Sequence, residues 1–492
     1  DIAEALDGGI AARDITYVKG TAYWADNLSR VYEYALIDSF EKVSNDKKAY
    51  CAAFMTQYRE QDAISGATLV QPHGSGFVVV NSPAMPLSRN ELDAVYDLPY
   101  TRLPHPSYTE HIPALDEVRF SLVSCRGCYG QCAFCALTFH QGRVIQSRSH
   151  ESLIAEAKLM TKMPEFKGYI HDVGGPTANF RQPACKKQLT KGVCKDRTCL
   201  GYSPCKNVEV SHTDYVELLR KLRRLDGVKR VFIRSGIRYD YLMYDKDETF
   251  FKELIKYHIS GQLKVAPEHI DDHVLEMMGK PGGELYQRFV RRYKQLNDAL
   301  GMNQYIVPYF MSSHPGSTLN SAIALAEYLK ASGQRPEQVQ DFYPTPGTLS
   351  TCMFYTGLDP RTMKPVYVPV SPEEKAMQRA LMQFFIPKNR PLVRKALRLA
   401  DRDDLIGSGR NCLVPDVHQS PAHSVGSSSA TKSNHRSQYG ATEHSAIKRK
   451  DARQNTRFGF PEQSRSNGPN RGVQGKKTVK TSDKRSGVKK HR

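Results

Sequence analysis

The chain has 492 residues, with 70 Lys and Arg against 51 Asp and Glu, a formal net charge of +19. Hydrophobic residues make up 40% and charged residues 25%, which supplies two or three domains with sizeable cores and excludes a collagen or a chain disordered throughout. No stretch approaches the roughly 20 consecutive apolar residues that a membrane-spanning helix needs, so no membrane partner is expected.

The first residues, Asp1-Ile2-Ala3-Glu4, show neither an initiator Met nor a signal-peptide pattern, and the sequence reads as starting internally. Residues 1–100 read as the end of a truncated α/β domain. Helical periodicity is expected over Tyr32 to Phe40 and Tyr50 to Tyr58, followed by an apolar strand from Gly76 to Val80. Pro83, Pro86, Pro99, Pro104 and Pro106 then predict an extended linker.

Between residues 116 and 350 short β-rich runs alternate with helical patterns. The runs are Val118–Val123, Gly168–Val173, Val228–Arg234, Gln262–Ala266, Gln304–Phe310 and Val339–Tyr343. Between them, Leu153, Ala157 and Met160 share one helical face, as do Val216, Leu219 and Leu222. So do Leu285, Phe289, Tyr293 and Leu296, and then Ala322, Leu325, Ala326 and Leu329. The pattern fits a partial (β/α) barrel and an open doubly wound sheet equally well. Either places its active site at the carboxyl ends of the strands. Residues 351–414 read as a small helical cap, with a stripe at Met377, Ala380, Leu381 and Phe384 and a second helix from Leu392 to Ala400. Residues 415–492 hold 17 Lys and Arg against 5 Asp and Glu and few aliphatic residues, the composition of a disordered basic tail. Such a tail attracts polyanions, nucleic acid included, and equally serves as a solvating segment without a specific partner.

Eleven cysteines, an odd number without a secretory signal, argue for thiolate–metal chemistry in a reducing compartment, the cytoplasm, rather than for disulfides. Eight fall in two groups. The first, Cys125-Arg-Gly-Cys128-Tyr-Gly-Gln-Cys132-Ala-Phe-Cys135, follows directly on the first predicted barrel strand. Cys128, Cys132 and Cys135 alone would hold a 4Fe-4S cluster with one iron left open for a small ligand that offers an amine and a carboxylate. Counting Cys125, the run is close to a closed ferredoxin-like loop, and a zinc knuckle or unligated buried thiols also fit. The second group, Cys185, Cys194, Cys199 and Cys205, lies in a basic insertion and suits an auxiliary Fe–S cluster or a structural zinc.

The spacing Cys128-x3-Cys132-x2-Cys135 after the first of six βα units resembles the radical S-adenosylmethionine (radical SAM) superfamily. Longer stretches are similar to its YgiQ-type branch: Arg126-Gly127-Cys128, His140-Gln141-Gly142-Arg143, Gln146-Ser147-Arg148-Ser149 and Asp172-Val173-Gly174-Gly175-Pro176-Thr177-Ala178-Asn179. Further on come Ala266-Pro267-Glu268-His269, Ser313-His314-Pro315-Gly316, Pro344-Thr345-Pro346-Gly347 and Arg410-Asn411-Cys412-Leu413-Val414-Pro415. The resemblance covers roughly residues 10–415. It implies a partial (β/α)6 TIM-like barrel, an α/β N-terminal region that is cobalamin-domain-like and longer in other members, and an enzyme that reductively cleaves SAM to a 5′-deoxyadenosyl radical. It also implies a reductant such as a flavodoxin or ferredoxin; the substrate is not implied.

By the same resemblance, Phe134 is the aromatic near adenine, or else a core residue. Gly174 and Gly175 approach the methionyl amine, although Pro176 stands where the superfamily has Glu. Ser235 and Arg238 would contact ribose and carboxylate, Arg238 being as readily a surface residue. Glu268 and His269 are placed to bind SAM or move protons, or to form a satisfied structural pair. Cys125 departs from the family pattern and reads as a small buried residue. The alternative reading is a non-enzymatic Fe–S or zinc protein that binds RNA through its basic tail.

Overall fold

The structure, a computed structural model, describes residues 1–416, and all of them lie in one compact unit. The basic tail falls, from residue 417 onward, outside the described residues.

The N-terminal region is a mixed four-stranded sheet in the order Ala22–Ala25, Gly76–Val80, Thr68–His73, Tyr34–Leu36. Gly76–Val80 is a strand as expected, and Tyr50 to Tyr58 lies within the helix Lys47–Arg59, capped by the Asp46 carboxylate. Tyr32 to Phe40 corrects the helical expectation. Tyr34–Leu36 is an edge strand paired parallel with Thr68–Val70, and a helix starts only at Phe40. The periodic side chains Tyr32, Leu36 and Phe40 stay exposed, so the helical pattern buries nothing here and sheet pairing prevails. The proline-rich stretch also holds a helix, Arg89–Tyr96. Its signal was a capping box, in which Ser88 and Glu91 satisfy each other's backbone N–H groups.

The barrel strands are Ser121–Val123, then Tyr169–Ile170 continuing as Asp172–Gly174, then Arg230–Val231, Gln262–Glu268, Tyr305–Ser312 and Gln340–Asp341. The first starts later than expected, because Val118 ends a short helix, Pro113–Val118. All ladders between them are parallel and join strands consecutive in the chain. A doubly wound sheet would reverse its order part-way, so the succession is that of a partial barrel. Between the third and fourth strands His258 stands in for a ladder: its Nδ1 meets the Val231 carbonyl at 2.7 Å and its carbonyl accepts from Ile233 N at 3.1 Å.

Helices His150–Thr161, Thr213–Arg223, Gly283–Ala299 and Leu319–Ala331 bury the expected faces. One position shifts: Tyr286, rather than Leu285, completes the buried stripe of the third of them. After residue 350, Pro372–Met382 and Arg390–Leu399 pack onto the same core through Met377, Leu381, Val393 and Leu397. Burying one such side chain contributes about 1.5–3 kcal/mol. Leu349–Thr356 packs instead on the N-terminal helix Lys47–Arg59, where the Cys51 and Cys352 sulfurs lie 3.7 Å apart. No described helix is long and apolar enough to cross a membrane.

Candidate functional site

The first cysteine loop leaves the first barrel strand and is fixed at several points by its own backbone. Cys128 N donates to the Gly142 carbonyl at 3.0 Å, and Ala133 N donates to Met278 O at 2.8 Å. Ala133 O accepts from Ser350 N at 2.9 Å. Gln131 adopts a left-handed φ of 50°, a conformation that a non-glycine residue holds only where its surroundings enforce it.

These ties gather Cys128, Cys132 and Cys135, whose sulfurs lie within electrostatic reach of one another. Burial raises the Cys128 thiol above its ordinary value, and burial with the neighbouring Cys132 pushes Cys135 up to about 11. N–H donors face the sulfurs. Gly130 N lies 3.4 Å from Cys128 Sγ, and Arg238 Nη1 lies 3.2 Å from Cys132 Sγ. Arg238 is buried rather than on the surface, its guanidinium paired bidentately with Asp240 at 2.8 and 2.6 Å. Burial works against the Asp240 charge, but Arg238 outweighs it and holds the carboxyl below its usual range.

Glu268 sits at the end of the fourth strand with φ at 70°, buried, 3.9 Å from Lys280 Nζ. Burial raises its carboxyl above the ordinary range, against the pull of Lys280 and Arg238. Lys280 also acts on Cys135. The residues that sequence reasoning missed are therefore Asp240 and Lys280. Lys280 opens Lys280-Pro281-Gly282-Gly283, a turn signal at the end of the helix Asp272–Met278.

Phe134 is half-buried against Val274, Met278, Met311 and Phe342, with its ring edge-on to His314 at 6.1 Å. His269 is buried and accepts a hydrogen bond from Asp271 N at 3.0 Å. Gly174, Gly175 and Ser235 line a separate cavity of about 670 Å³ at the ends of the first strands, together with Asp172, Pro176 and Lys264. Asp172 accepts from the Ser235 hydroxyl and, at 3.1 Å, from its backbone N–H. A Cβ on Gly175 would come within 2.6 Å of Cys125 Sγ, so glycine is required there by close packing. Cys125 is buried, its thiol pushed up to about 11 by burial, with Sγ 3.9 Å from the Thr177 carbonyl. The structure thus brings Cys128, Cys132, Cys135, Arg238 and Glu268 into one network and sets Gly174, Gly175 and Ser235 on a neighbouring wall.

The second group lies in the crossover after Gly175. Cys185, Cys194, Cys199 and Cys205 are half-buried free thiols, and burial with the other three pushes Cys199 up to about 12. Among the described residues no three His, Cys, Asp or Glu side chains are arranged to hold a single metal ion. The first group suits a polynuclear cluster instead. Its thiols face buried N–H donors, and the Arg238 and Lys280 charges would offset an anionic iron–sulfur core.

Comparison with known proteins agrees with this architecture. Residues 122–329 match the Radical SAM superfamily, preceded by a match to Radical SAM N-terminal over 1–121 and followed by one to a domain of unknown function, DUF3362, over 337–484. Proteins of that superfamily use a 4Fe-4S cluster and SAM. The chain's homologues are UPF0313 (YgiQ-type) proteins. One from Clostridium perfringens (strain 13 / Type A) is 58% identical over 419 residues, 85% of this chain and 63% of its own length. One from Clostridium botulinum (strain 657 / Type Ba4) is 56% identical over 416 residues, 84% of this chain and 65% of its own. The chain therefore spans somewhat under two thirds of these relatives. The crystal structure of methylornithine synthase aligns with a TM-score of 0.30 at 11% identity, over 61% of this chain and 74% of that one. The barrel assignment rests on the parallel ladders rather than on that superposition.

Proposed function

We propose that the chain is the catalytic core of a radical SAM enzyme, in which Cys128, Cys132 and Cys135 hold a 4Fe-4S cluster and leave one iron for SAM. The observation that carries this reading is the loop itself. Its three thiols follow the first of six parallel strands, inside a matched radical SAM domain, with a buried guanidinium against Cys132. When bound, the cluster and SAM supply reductive cleavage to methionine and a 5′-deoxyadenosyl radical, the electron coming from a protein reductant such as a flavodoxin or ferredoxin.

The chain's own residues orient and exclude. Arg238, locked by Asp240, directs an N–H at Cys132 and sets the local positive charge. Phe134 offers an apolar face for adenine. Gly174 and Gly175 let backbone approach the methionyl group, and with Pro176 in place of Glu that contact falls to main-chain atoms. Ser235, its hydroxyl oriented by Asp172, would contact the ribose. Glu268, with its carboxyl raised by burial, sits where it can hold a proton beside the site. All eleven cysteines are free thiols in the structure, which suits a reducing cytoplasm. The basic tail suits a nucleic-acid partner by charge alone, a salt-sensitive and sequence-independent term. The family matches do not favour the non-enzymatic alternative.

The test is anaerobic. The protein is loaded with iron and sulfide, given dithionite and SAM, and 5′-deoxyadenosine is measured by chromatography. The nucleoside is expected from the parent and not from Cys132→Ala. A fully loaded parent that yields none overturns the reading.

A further inference from the structure

The crossover between the second and third barrel strands carries four cysteines for which the proposed reaction has no use. The sulfurs of Cys185, Cys194 and Cys205 lie within electrostatic reach of Cys199. Backbone bonds hold the loop in shape: Gln188 N donates to Cys185 O at 3.1 Å, and Cys205 N to Cys199 O at 3.0 Å. Donors face the sulfurs here too, with Lys187 Nζ 3.5 Å from Cys194 Sγ and Gln188 Nε2 3.8 Å from Cys199 Sγ. Residues 185–206 carry six Lys or Arg and one acidic residue, Asp196. That balance offsets the negative charge that four thiolates would gather.

We propose that Cys185, Cys194, Cys199 and Cys205 ligate a second iron–sulfur cluster, closed by four thiolates and separate from the site at Cys128, Cys132 and Cys135. One observation favours a cluster over zinc. A zinc ion about 2.3 Å from each thiolate would bring neighbouring sulfurs to about 3.8 Å. Among the described residues, however, no such group is arranged to hold a single ion. A cluster spreads its thiolates over several irons, so thiols that share one electrostatic neighbourhood without converging on one point suit it.

Tyr129 packs in one buried cluster with Cys128, and Cys199 packs against that cluster. The Tyr129 hydroxyl is buried beside the Tyr241 hydroxyl and lies within electrostatic reach of both Cys128 and Cys199. The ring is pinned by stacking on Phe180 with centroids 4.0 Å apart.

The experiment counts metal in the full chain. After anaerobic loading, iron, sulfide and zinc are measured per chain, and the dithionite-reduced protein is examined by electron paramagnetic resonance with and without SAM. The parent is expected to hold about eight irons, and a Cys128→Ala/Cys132→Ala/Cys135→Ala variant about four, with a signal that SAM does not alter. A Cys185→Ser/Cys194→Ser/Cys199→Ser/Cys205→Ser variant is expected to keep about four irons and a SAM-responsive signal. Loss of all iron from a triple variant that keeps its circular dichroism would overturn the proposal. So would one zinc per chain in it, or a quadruple variant with the parent's iron content. If the triple variant does not fold, the quadruple variant decides. The proposal and the radical SAM reading fail separately: absence of 5′-deoxyadenosine from the loaded parent does not change the iron count of the triple variant.

Discussion

The two cysteine loops resemble each other in composition and differ in how they are held. The first is braced from inside the barrel. Its backbone is tied to Met278 and Ser350, and Arg238 reaches Cys132 from a buried ion pair with Asp240. The second is braced from the surface. Lys195 pairs with Glu60 at 2.7 Å and Arg59 with Asp196 at 2.8 Å, both linking the insertion to the end of the N-terminal helix Lys47–Arg59. Buried pairs resist screening and tolerate no missing partner, whereas exposed pairs contribute little and are readily lost. A loop that must present an open iron in one orientation needs the first kind of support. A loop that closes around a cluster with four of its own side chains is oriented by those ligands and does not.

The largest effect that would sharpen this contrast is expected at Arg238. Arg238→Ala leaves Asp240 buried and unpaired, at a cost of about 3–5 kcal/mol. Urea denaturation checks it, and Arg238→Ala combined with Asp240→Leu should recover much of the loss. A single variant within 1 kcal/mol of the parent, on the order of an exposed pair, would show that the first loop is not braced from within.

A pH effect of about half that size is expected from His314. Its Nδ1–H donates to the Pro315 carbonyl at 2.7 Å, and Nε2 accepts from Ser350 Oγ at 2.6 Å, which couples it to the first loop. Burial lowers its pKa to about 3, with His269 and Arg361 adding to the shift. The unfolded chain takes up this proton near pH 6.5 and the folded chain only near the lowered value. The stability is therefore complete above pH 6.5 and is lost as pH falls, by about 2 kcal/mol at pH 5. Denaturation midpoints at pH 7 and 5 should differ less in His314→Gln than in the parent.

Gly175→Ala is expected to cost about 1–3 kcal/mol through its clash with Cys125, and to weaken SAM binding measured by equilibrium dialysis. Gly236→Ala, where an added Cβ meets nothing within 4 Å, is the control. The smallest effect belongs to the second loop. Arg59→Ala, which breaks the exposed pair with Asp196, should change stability by about 0–1 kcal/mol and leave the loop's iron content unaltered. A large loss of iron there would mean that the surface ties, rather than the ligands, hold that loop.

Much of the barrel was legible because its strands are buried runs and its helices repeat buried side chains every three or four residues. Leu153, Ala157 and Met160 are all fully buried, as their spacing implies. The N-terminal edge was not legible in the same way. Tyr32, Leu36 and Phe40 carry helical spacing but face outward, and pairing with Thr68–Val70 overrides the pattern. The thiols proposed as ligands were legible as groups because their spacing along one loop is itself the signal. Asp240 and Lys280 were not, since nothing local marks a charge that is buried by distant strands. Arg238 shows the limit from the other side: its position after the third strand suggested a contact, but surface and interior were equally open to it until Asp240 and Cys132 were seen beside it.

The sequence by itself determined the alternation of six strands with helices, the C-x3-C-x2-C loop after the first strand, and the second set of four thiols. These are properties of neighbours along the chain, and periodicity and spacing record them. Only the tertiary structure decided that the strands follow one another as a partial barrel, that Arg238 faces Cys132 from a buried pair, and that the Tyr129 hydroxyl lies within reach of both thiol groups. Those relations join residues far apart in sequence. They exist only once burial has removed water from between them and the low-dielectric interior has made each unpaired charge or hydroxyl costly.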